Sequence, residues 1–263
     1  MAIESLNAVD NSSMMSSLNK TNQSLTSGSQ INSAADNAAG SAIVTSLTSK
    51  INTQDIGIQN ATTGGNLLQT ADGGASQITE QLQRLSELSI QSLNGTYNSS
   101  QRAALNAEFQ QGLKSINDFA ESTSFNGMNL LNADTASVDI ALGSDSSASL
   151  TLPNLTTDAL GLTGADISNP NNALAIQSQL SDALGLVSDS RAQFGAQQNG
   201  LSASASNLAN QNINTQSTRS QINDTNYAGA VLEQSRLQIL NQTSLAMQAQ
   251  NNQNFSNVLS LLS

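Results

Sequence analysis

The 263-residue sequence contains no cysteine, no histidine, no tryptophan and only two prolines. Without His or Cys, the chain lacks the ligands of the usual zinc, haem and iron–sulfur sites. The Ser–His–Asp and Cys–His catalytic systems are excluded for the same reason. Aromatic residues make up 3% of the chain, which excludes a large aromatic core. These absences argue against an enzyme, and we expect no cofactor, no metal and no catalytic residue.

Uncharged polar residues dominate instead, with 41 Ser, 32 Asn, 26 Gln and 20 Thr. Such a composition, with 10% charged residues, is also found in disordered chains. Two observations favour an ordered protein: hydrophobic residues still make up 37% of the chain, and proline is nearly absent. Because the hydrophobic residues also recur every three or four positions, we predict long helices joined along aliphatic seams.

The net charge of −11 is unevenly distributed. Nine acidic residues and no basic residue lie between positions 115 and 190, whereas positions 237–263 carry no ionisable side chain. We expect the acidic middle to face water and the uncharged end to pack against protein, where an unpaired charge would be costly. The sequence shows no basic run for nucleic acid and no apolar run for a membrane helix, and we expect no cleavable signal peptide.

The first segment of the chain is weakly amphipathic, and the spacing of the hydrophobic residues predicts four more helices after it. A break is expected at 28–40, then a long helix from Ala42 to about Asn94, and a third helix with a coiled-coil seam. Ser168-Asn169-Pro170 predicts the start of the next helix, which loosens before a last helix from about Asp224. The third helix carries its seam at Leu105, Phe109, Gly112, Ile116 and Phe119.

The period changes between these helices. Val138, Ile140 and Leu142 alternate with polar residues, and Leu150 and Leu152 do so again, which predicts a β-hairpin. We therefore predict a mainly α fold, with long antiparallel helices that form a terminal coiled coil and a helical rod around a small mid-chain hairpin. The first helix pairs with the last, and apolar stripes at both ends remain to be buried against neighbouring copies.

Several tracts resemble bacterial flagellin. These are SLTSGSQINSAADNAAG at 24–40, IQNATTGGNLLQTADGG and LQRLSELSIQS within 58–92, SFNGMNLL at 124–131, TRSQINDTNYAGAVLEQSRLQILNQ at 218–242 and VLSLL at 258–262. The resemblance implies an inner coiled-coil domain from 1–40 and 221–263, and a rod domain from 41–130 and 169–220. The hairpin region at 131–168 joins the two halves of the rod. Because DALGL at 158–162 follows the hairpin closely, outer domains are expected to be absent.

The family's function implies an extracellular filament subunit that polymerises with itself and acts as the propeller for motility. Its implied partners are the flagellar export apparatus, an export chaperone, the filament cap and the vertebrate Toll-like receptor for flagellin. A hook–filament junction protein of the same superfamily is the alternative. An enzyme based on Asp118 and Glu121 is disfavoured, because acids three positions apart on a helix are usually a solvated face.

Two sets of site residues follow. Subunit packing is expected at Leu6, Leu18, Leu25, Leu232, Ile239, Met247, Phe255, Val258 and Leu262. The resemblance implies receptor contacts at Gln83, Arg84, Glu87, Leu88 and Glu108. Arg84 and Glu87 could instead form only a surface or inter-subunit ion pair.

Overall fold

The computed structural model describes residues 2–132, 134–144 and 146–262, with the side chains of 2–10, 255 and 258–262 outside the description. Within this part, the predicted mainly α fold is confirmed, with five helices and two antiparallel strand pairs. The helices are α1 Ala2–Ser27, α2 Ala38–Ser92, α3 Ser99–Ser122, α4 Pro170–Asn223 and α5 Tyr227–Leu262. The strands are β1 Ser124–Phe125, β2 Met128–Asn129, β3 Ser137–Ala141 and β4 Ser147–Thr151.

Asparagine side chains begin four of the five helices. The Oδ1 atom of Asn98 accepts a hydrogen bond from the Gln101 backbone N–H at 2.9 Å, and the Oε1 atom of Gln101 accepts one from the Asn98 backbone N–H. The Oδ1 atoms of Asn37, Asn169 and Asn226 similarly accept backbone N–H groups at the starts of α2, α4 and α5. Each cap satisfies a donor that has no partner within the helix, which is worth about 1 kcal/mol.

The chain divides into two compact units, and each is described separately. Unit 1 consists of residues 1–51 and 213–263, and unit 2 of residues 52–212. The hydrophobic core lies in unit 2, where α2, α3, α4, the β3–β4 hairpin and the segment after it surround a continuous cluster from Ala61 to Leu201. In unit 1, the buried hydrophobic residues among the described side chains are Ile51 and Leu237.

In unit 2, α2 lies antiparallel to both α3 and α4. The Ser89 hydroxyl donates to the Ala173 carbonyl at 2.9 Å, and the Arg191 Nε donates to Asp72 at 2.7 Å. The predicted seams are buried here: Phe109 and Ile116 of α3 are fully covered. In α4, the covered seam residues are Ala173, Ile176, Leu180, Ala183, Val187, Phe194 and Leu201.

The predicted hairpin is confirmed as β3 paired with β4, with Val138 opposite Leu150 and Ile140 opposite Ala148. Alternate residues of both strands point inward, as the period of two requires. The 18 residues between β4 and α4 are held against α3 by amide side chains. Asn117 accepts from the Thr157 N–H at 2.9 Å, and Asn106 accepts from the Ile167 N–H at 3.0 Å. This short connection leaves no room for the outer domains.

Three features differ from the sequence prediction. The break after α1 is shorter than 28–40, because α2 begins at Ala38 with Asn37 as its cap. No loosening occurs late in α4, which is continuous to Asn223. A second, two-residue hairpin, β1–β2, was not predicted. Its turn is Asn126-Gly127, both with positive φ, which the primed turns of tight hairpins require.

Two glycines let the hairpin approach α2 closely. A Cβ atom at Gly57 would collide with the Leu142 carbonyl group, and one at Gly64 would lie 3.0 Å from side-chain carbons of Ile140 and Leu201. At Gly73, in contrast, a Cβ would meet nothing within 4 Å. The glycines of α2 therefore fall into two kinds: some allow close packing against the hairpin, and others lie on an open surface.

We expect Gly57→Ala to lower the free energy of unfolding of the full chain by about 1–3 kcal/mol, because the added methyl group would force the hairpin away from α2. The matched control is Gly73→Ala, which should raise it by about 0.5–1 kcal/mol through helix propensity alone. Urea unfolding followed by circular dichroism measures both. Equal effects from the two substitutions would contradict this docking geometry.

Candidate functional site

The chain ends pair as antiparallel helices in unit 1. Gln234 of α5 donates a side-chain hydrogen bond to Asn22 of α1 at 2.6 Å, and Asn241 donates to Asn11 at 3.2 Å. Polar side chains thus fix the register of α1 against α5. Leu237, which is 8% exposed, lies between these two contact points along α5.

Much of the apolar surface of α5 remains uncovered. Leu232 is 72% exposed, Ile239 63% and Met247 69%, and all three were predicted packing residues. Val231, Leu240 and Leu245 are exposed as well. Apolar side chains lie on several sides of α5, but of the large apolar residues named here Leu237 alone is buried. A single partner helix therefore does not cover the apolar surface of α5.

The other predicted packing residues divide into two groups. Leu18 and Leu25 of α1 are half-buried. Leu6, Phe255, Val258 and Leu262 lie in α1 and α5, but their side chains are outside the described residues. Of the predicted packing residues, Leu232, Ile239 and Met247 are therefore the ones whose described side chains are exposed.

A backbone cross-tie joins the two breaks that flank the terminal helices. The Thr225 N–H donates to the Gly28 carbonyl at 2.9 Å, and the Gln30 N–H donates to the Asn223 carbonyl at 2.7 Å. Ser29 and Asp224 form an isolated antiparallel bridge between these two bonds. The segment before α2 is thereby attached to the segment before α5.

Asp36 holds the connection between α1 and α2. One carboxylate oxygen is 3.0 Å from the Lys20 Nζ of α1, and the other accepts the backbone N–H groups of Asn32 and Ser33 at 3.1 and 2.9 Å. These donors, Lys20 first, lower the pKa of Asp36 from its ordinary 3.8 to about 2. Because only the ionised form accepts all of them, the connection depends on the charge of Asp36.

The charged patch predicted on unit 2 is centred on Arg84. Its guanidinium group contacts Glu108 of α3 at 2.7 Å and Glu87 of α2 at 3.1 Å. The two carboxylates, Glu108 first, raise the pKa of Arg84. All three side chains are about half exposed or more, and Gln83 is exposed beside them. Four of the five predicted receptor residues therefore offer polar groups to solvent.

Leu88 does not belong to this exposed patch. It is 1% exposed and lies in the core cluster of unit 2, so its side chain does not face solvent beside Arg84. Residues four positions apart on a helix point in directions that differ by about 40°. Here this difference is enough to place Leu88 inside the core and Arg84 outside it. The long Arg84 side chain extends outward to α3, whereas the short Leu88 side chain turns inward.

Both ends of the chain match models of known protein families. Residues 2–136 match the bacterial flagellin N-terminal helical region, and residues 177–262 match the bacterial flagellin C-terminal helical region. The chain belongs to the bacterial flagellin family. A flagellin of Halalkalibacterium halodurans is 37% identical over 92% of this chain and 91% of its own length. The flagellar filament 30.7 kDa core protein of Treponema maltophilum is 33% identical over 92% of this chain and 90% of its own length.

Solved structures agree with this assignment. The flagellin of Bacillus cereus is 26% identical, with a TM-score of 0.52 over 57% of this chain and 88% of that one. A hook-associated protein of Vibrio parahaemolyticus has a TM-score of 0.62 over 72% of this chain and 100% of that one. At 12% identity, this second likeness shows a shared fold alone. The flagellin matches therefore favour a filament flagellin over a junction protein.

The described residues offer neither a metal site nor a membrane span. They contain no cluster of three or more acidic side chains suited to a metal ion. Nor do they contain a helix apolar and long enough to cross a membrane. Asp118 and Glu121 both lie on α3, where their side chains are exposed.

The Asp36 contacts predict an acid-sensitive connection. Since the folded pKa of about 2 lies below the ordinary 3.8, the stabilisation is complete above about pH 4 and is lost as pH falls towards 2. We expect Asp36→Asn to be less stable than wild type at pH 7, with the difference shrinking over that interval. Lys20→Met should reproduce part of the effect, because it removes the largest contributor. Urea midpoints at several pH values measure it, and a difference that stays constant with pH would refute it.

Proposed function

We propose that this flagellin is a structural subunit of the bacterial flagellar filament, an extracellular helical homopolymer that acts as the propeller for motility. The observation that carries this proposal is the uncovered apolar surface of α5, at Leu232, Ile239 and Met247. A soluble monomer rarely exposes a contiguous apolar face, and neighbouring copies of the same chain can cover it. The role is structural rather than enzymatic.

The two domains that the family resemblance implies, whose bounds differ from those of the two compact units, have different parts in this proposal. Residues 1–40 and 221–263 form the inner coiled-coil domain, which completes its burial only between subunits. Residues 41–130 and 169–220, with the hairpin region at 131–168, form a rod domain that is folded before assembly. Support comes from the distribution of the core, which runs from Ala61 to Leu201.

Export and assembly factors act on the same chain ends in our proposal. A two-helix pair with few buried side chains opens at low cost, which suits passage of an unfolded chain through the flagellar export apparatus. The export chaperone would cover the apolar face of α5 before export, and the filament cap would hold the chain as its ends fold against neighbours. Folding coupled to binding of this kind allows one sequence to be open in transit and ordered in the polymer.

The assembly proposal predicts the behaviour of a paired substitution. Leu232→Gln with Ile239→Gln should abolish long filaments, because it removes apolar surface that only a neighbour can bury. The monomer's free energy of unfolding should change by no more than about 0.5 kcal/mol, since both side chains are exposed. Electron microscopy and sedimentation measure the polymer.

Gln238→Ala, an exposed substitution between these positions, is the matched control and should polymerise normally. If the paired variant formed long filaments, these two residues of α5 would not belong to the subunit interface. A wild-type protein that never forms long polymers would instead favour the junction-protein role.

We further propose that the exposed patch around Arg84 contacts the vertebrate Toll-like receptor for flagellin. The patch joins two helices through the Arg84 contacts to Glu87 and Glu108, so its charges are held in a fixed arrangement. Gln83 adds an exposed amide next to it. Leu88 contributes only by supporting α2 from within the core.

Arg84→Ala should lower the signal of a receptor-reporter cell line treated with monomeric protein, because it removes the centre of the patch. The matched control is Arg236→Ala, which breaks the similarly spaced ion pair with Glu233 on α5. Both ion pairs are solvent-exposed and contribute little to stability, so unfolding does not explain a difference in signal. Equal signals from the two variants would exclude Arg84 from the contact.

A further inference from the structure

The absence of Cys, His and Trp leaves methionine as the side chain most readily oxidised in this protein. The sequence has five methionines, and three of them, Met14, Met15 and Met247, lie on the terminal helices α1 and α5. Oxidant chemistry on this chain is therefore concentrated in unit 1, on the helices proposed to assemble.

Met14 and Met247 meet in one groove. The groove lies between α1 and α5, has a volume of about 710 Å³, and is lined by both methionines together with Leu240 and uncharged polar side chains. Met247 is 69% exposed and Met14 is half-buried. Both side chains of the groove thus lie where a small oxidant in solution reaches them in the unassembled chain.

The other described methionines provide an internal comparison. Met15 is 48% exposed but does not line the groove. Met128 lies in β2 of unit 2 and packs partly buried against the core. Access to oxidant should therefore be greater at Met247 than at Met128, and of the described methionines Met14 and Met247 both line this groove.

We propose that Met14 and Met247 form an oxidant-sensitive modification site, and that their conversion to sulfoxides by a peroxide blocks the packing of another copy into the groove. In each step the thioether sulfur forms a bond to one peroxide oxygen as the O–O bond breaks. The sulfur loses two electrons, and hydrogen peroxide is reduced to water. A thiol-dependent methionine sulfoxide reductase reverses the change.

The physical cause is the change in character of the side chain. A methionine thioether is apolar and flexible, so it fills an irregular groove easily. A sulfoxide is polar and chiral, and burying its oxygen without a hydrogen bond is costly. The consequence for assembly rests on the proposed filament function, whereas the site of oxidation does not.

The first experiment locates the modification. Full-length monomer is treated with hydrogen peroxide, and the sulfoxides are mapped by peptide mass spectrometry over time. We expect oxidation of Met247 to precede that of Met128, with Met14 also modified. Oxidation of Met128 before Met247 would overturn the assignment of the site, whether or not the protein polymerises.

The second experiment tests the consequence. Peroxide-treated wild type should lose most of its polymer yield, and so should Met15→Leu/Met128→Leu, which retains both groove methionines. Met14→Leu/Met247→Leu should keep its yield after the same treatment. Methionine sulfoxide reductase should restore assembly of the wild type, which keeps the proposal testable if the groove variant polymerises poorly.

Two results would overturn the proposal: normal polymerisation of wild type carrying both sulfoxides, or equal loss in the groove variant. Untreated wild type that forms no polymer would overturn the filament function and the assembly consequence together. The mapping experiment would then still decide whether the groove is the preferred oxidation site.

Discussion

A pair of helices buries only one face of each partner, and this limit separates the two units of the chain. In unit 2, α2 has α3, α4 and a β-hairpin around it, so its apolar stripe meets side chains from several directions and a continuous core results. In unit 1, α5 pairs with α1 alone, and Leu237 is covered while Leu232 and Ile239 are not. The difference in burial, rather than in composition, makes the middle of the chain self-sufficient and its ends incomplete.

The unusual polar composition is consistent with this arrangement. Many Ser and Thr hydroxyls donate to the carbonyl four residues earlier in their own helix, as Thr45 does to Ser41 and Thr243 to Ile239. Such groups are satisfied locally and require little from a neighbour. Asparagine supplies the helix caps, and amide pairs set the α1–α5 register. Uncharged polar residues therefore perform tasks that Glu and Lys perform in most coiled coils, without charges that would oppose close packing of copies.

Sequence periodicity was sufficient for the helices of unit 2, the β3–β4 hairpin and the start of α4 at Pro170, because each is specified by local spacing or a local cap. It was insufficient where a distant contact decides the outcome. The β1–β2 hairpin was missed for a different reason: its strands have two residues each, which is too short to show a period of two. Leu88 lies on the core side of α2 while Arg84, four positions earlier, reaches Glu108 on another helix, and the border between these sides depends on how α3 packs against α2. Likewise, the role of Asp36 requires Lys20, sixteen positions earlier, to fold back beside it.

The cross-tie between Gly28–Gln30 and Asn223–Thr225 determines how mechanical force would enter the chain. Its hydrogen bonds join two strands of one polypeptide that are almost two hundred residues apart in sequence. A pull on either terminal helix is then shared by both strands at this point, in parallel, instead of being carried by one connection. Antiparallel hydrogen bonds share a load that runs along the strands, whereas a load that separates the strands from one end breaks them one after another. The protein thus resists forces directed along these strands at the junction where α1 ends and α5 begins.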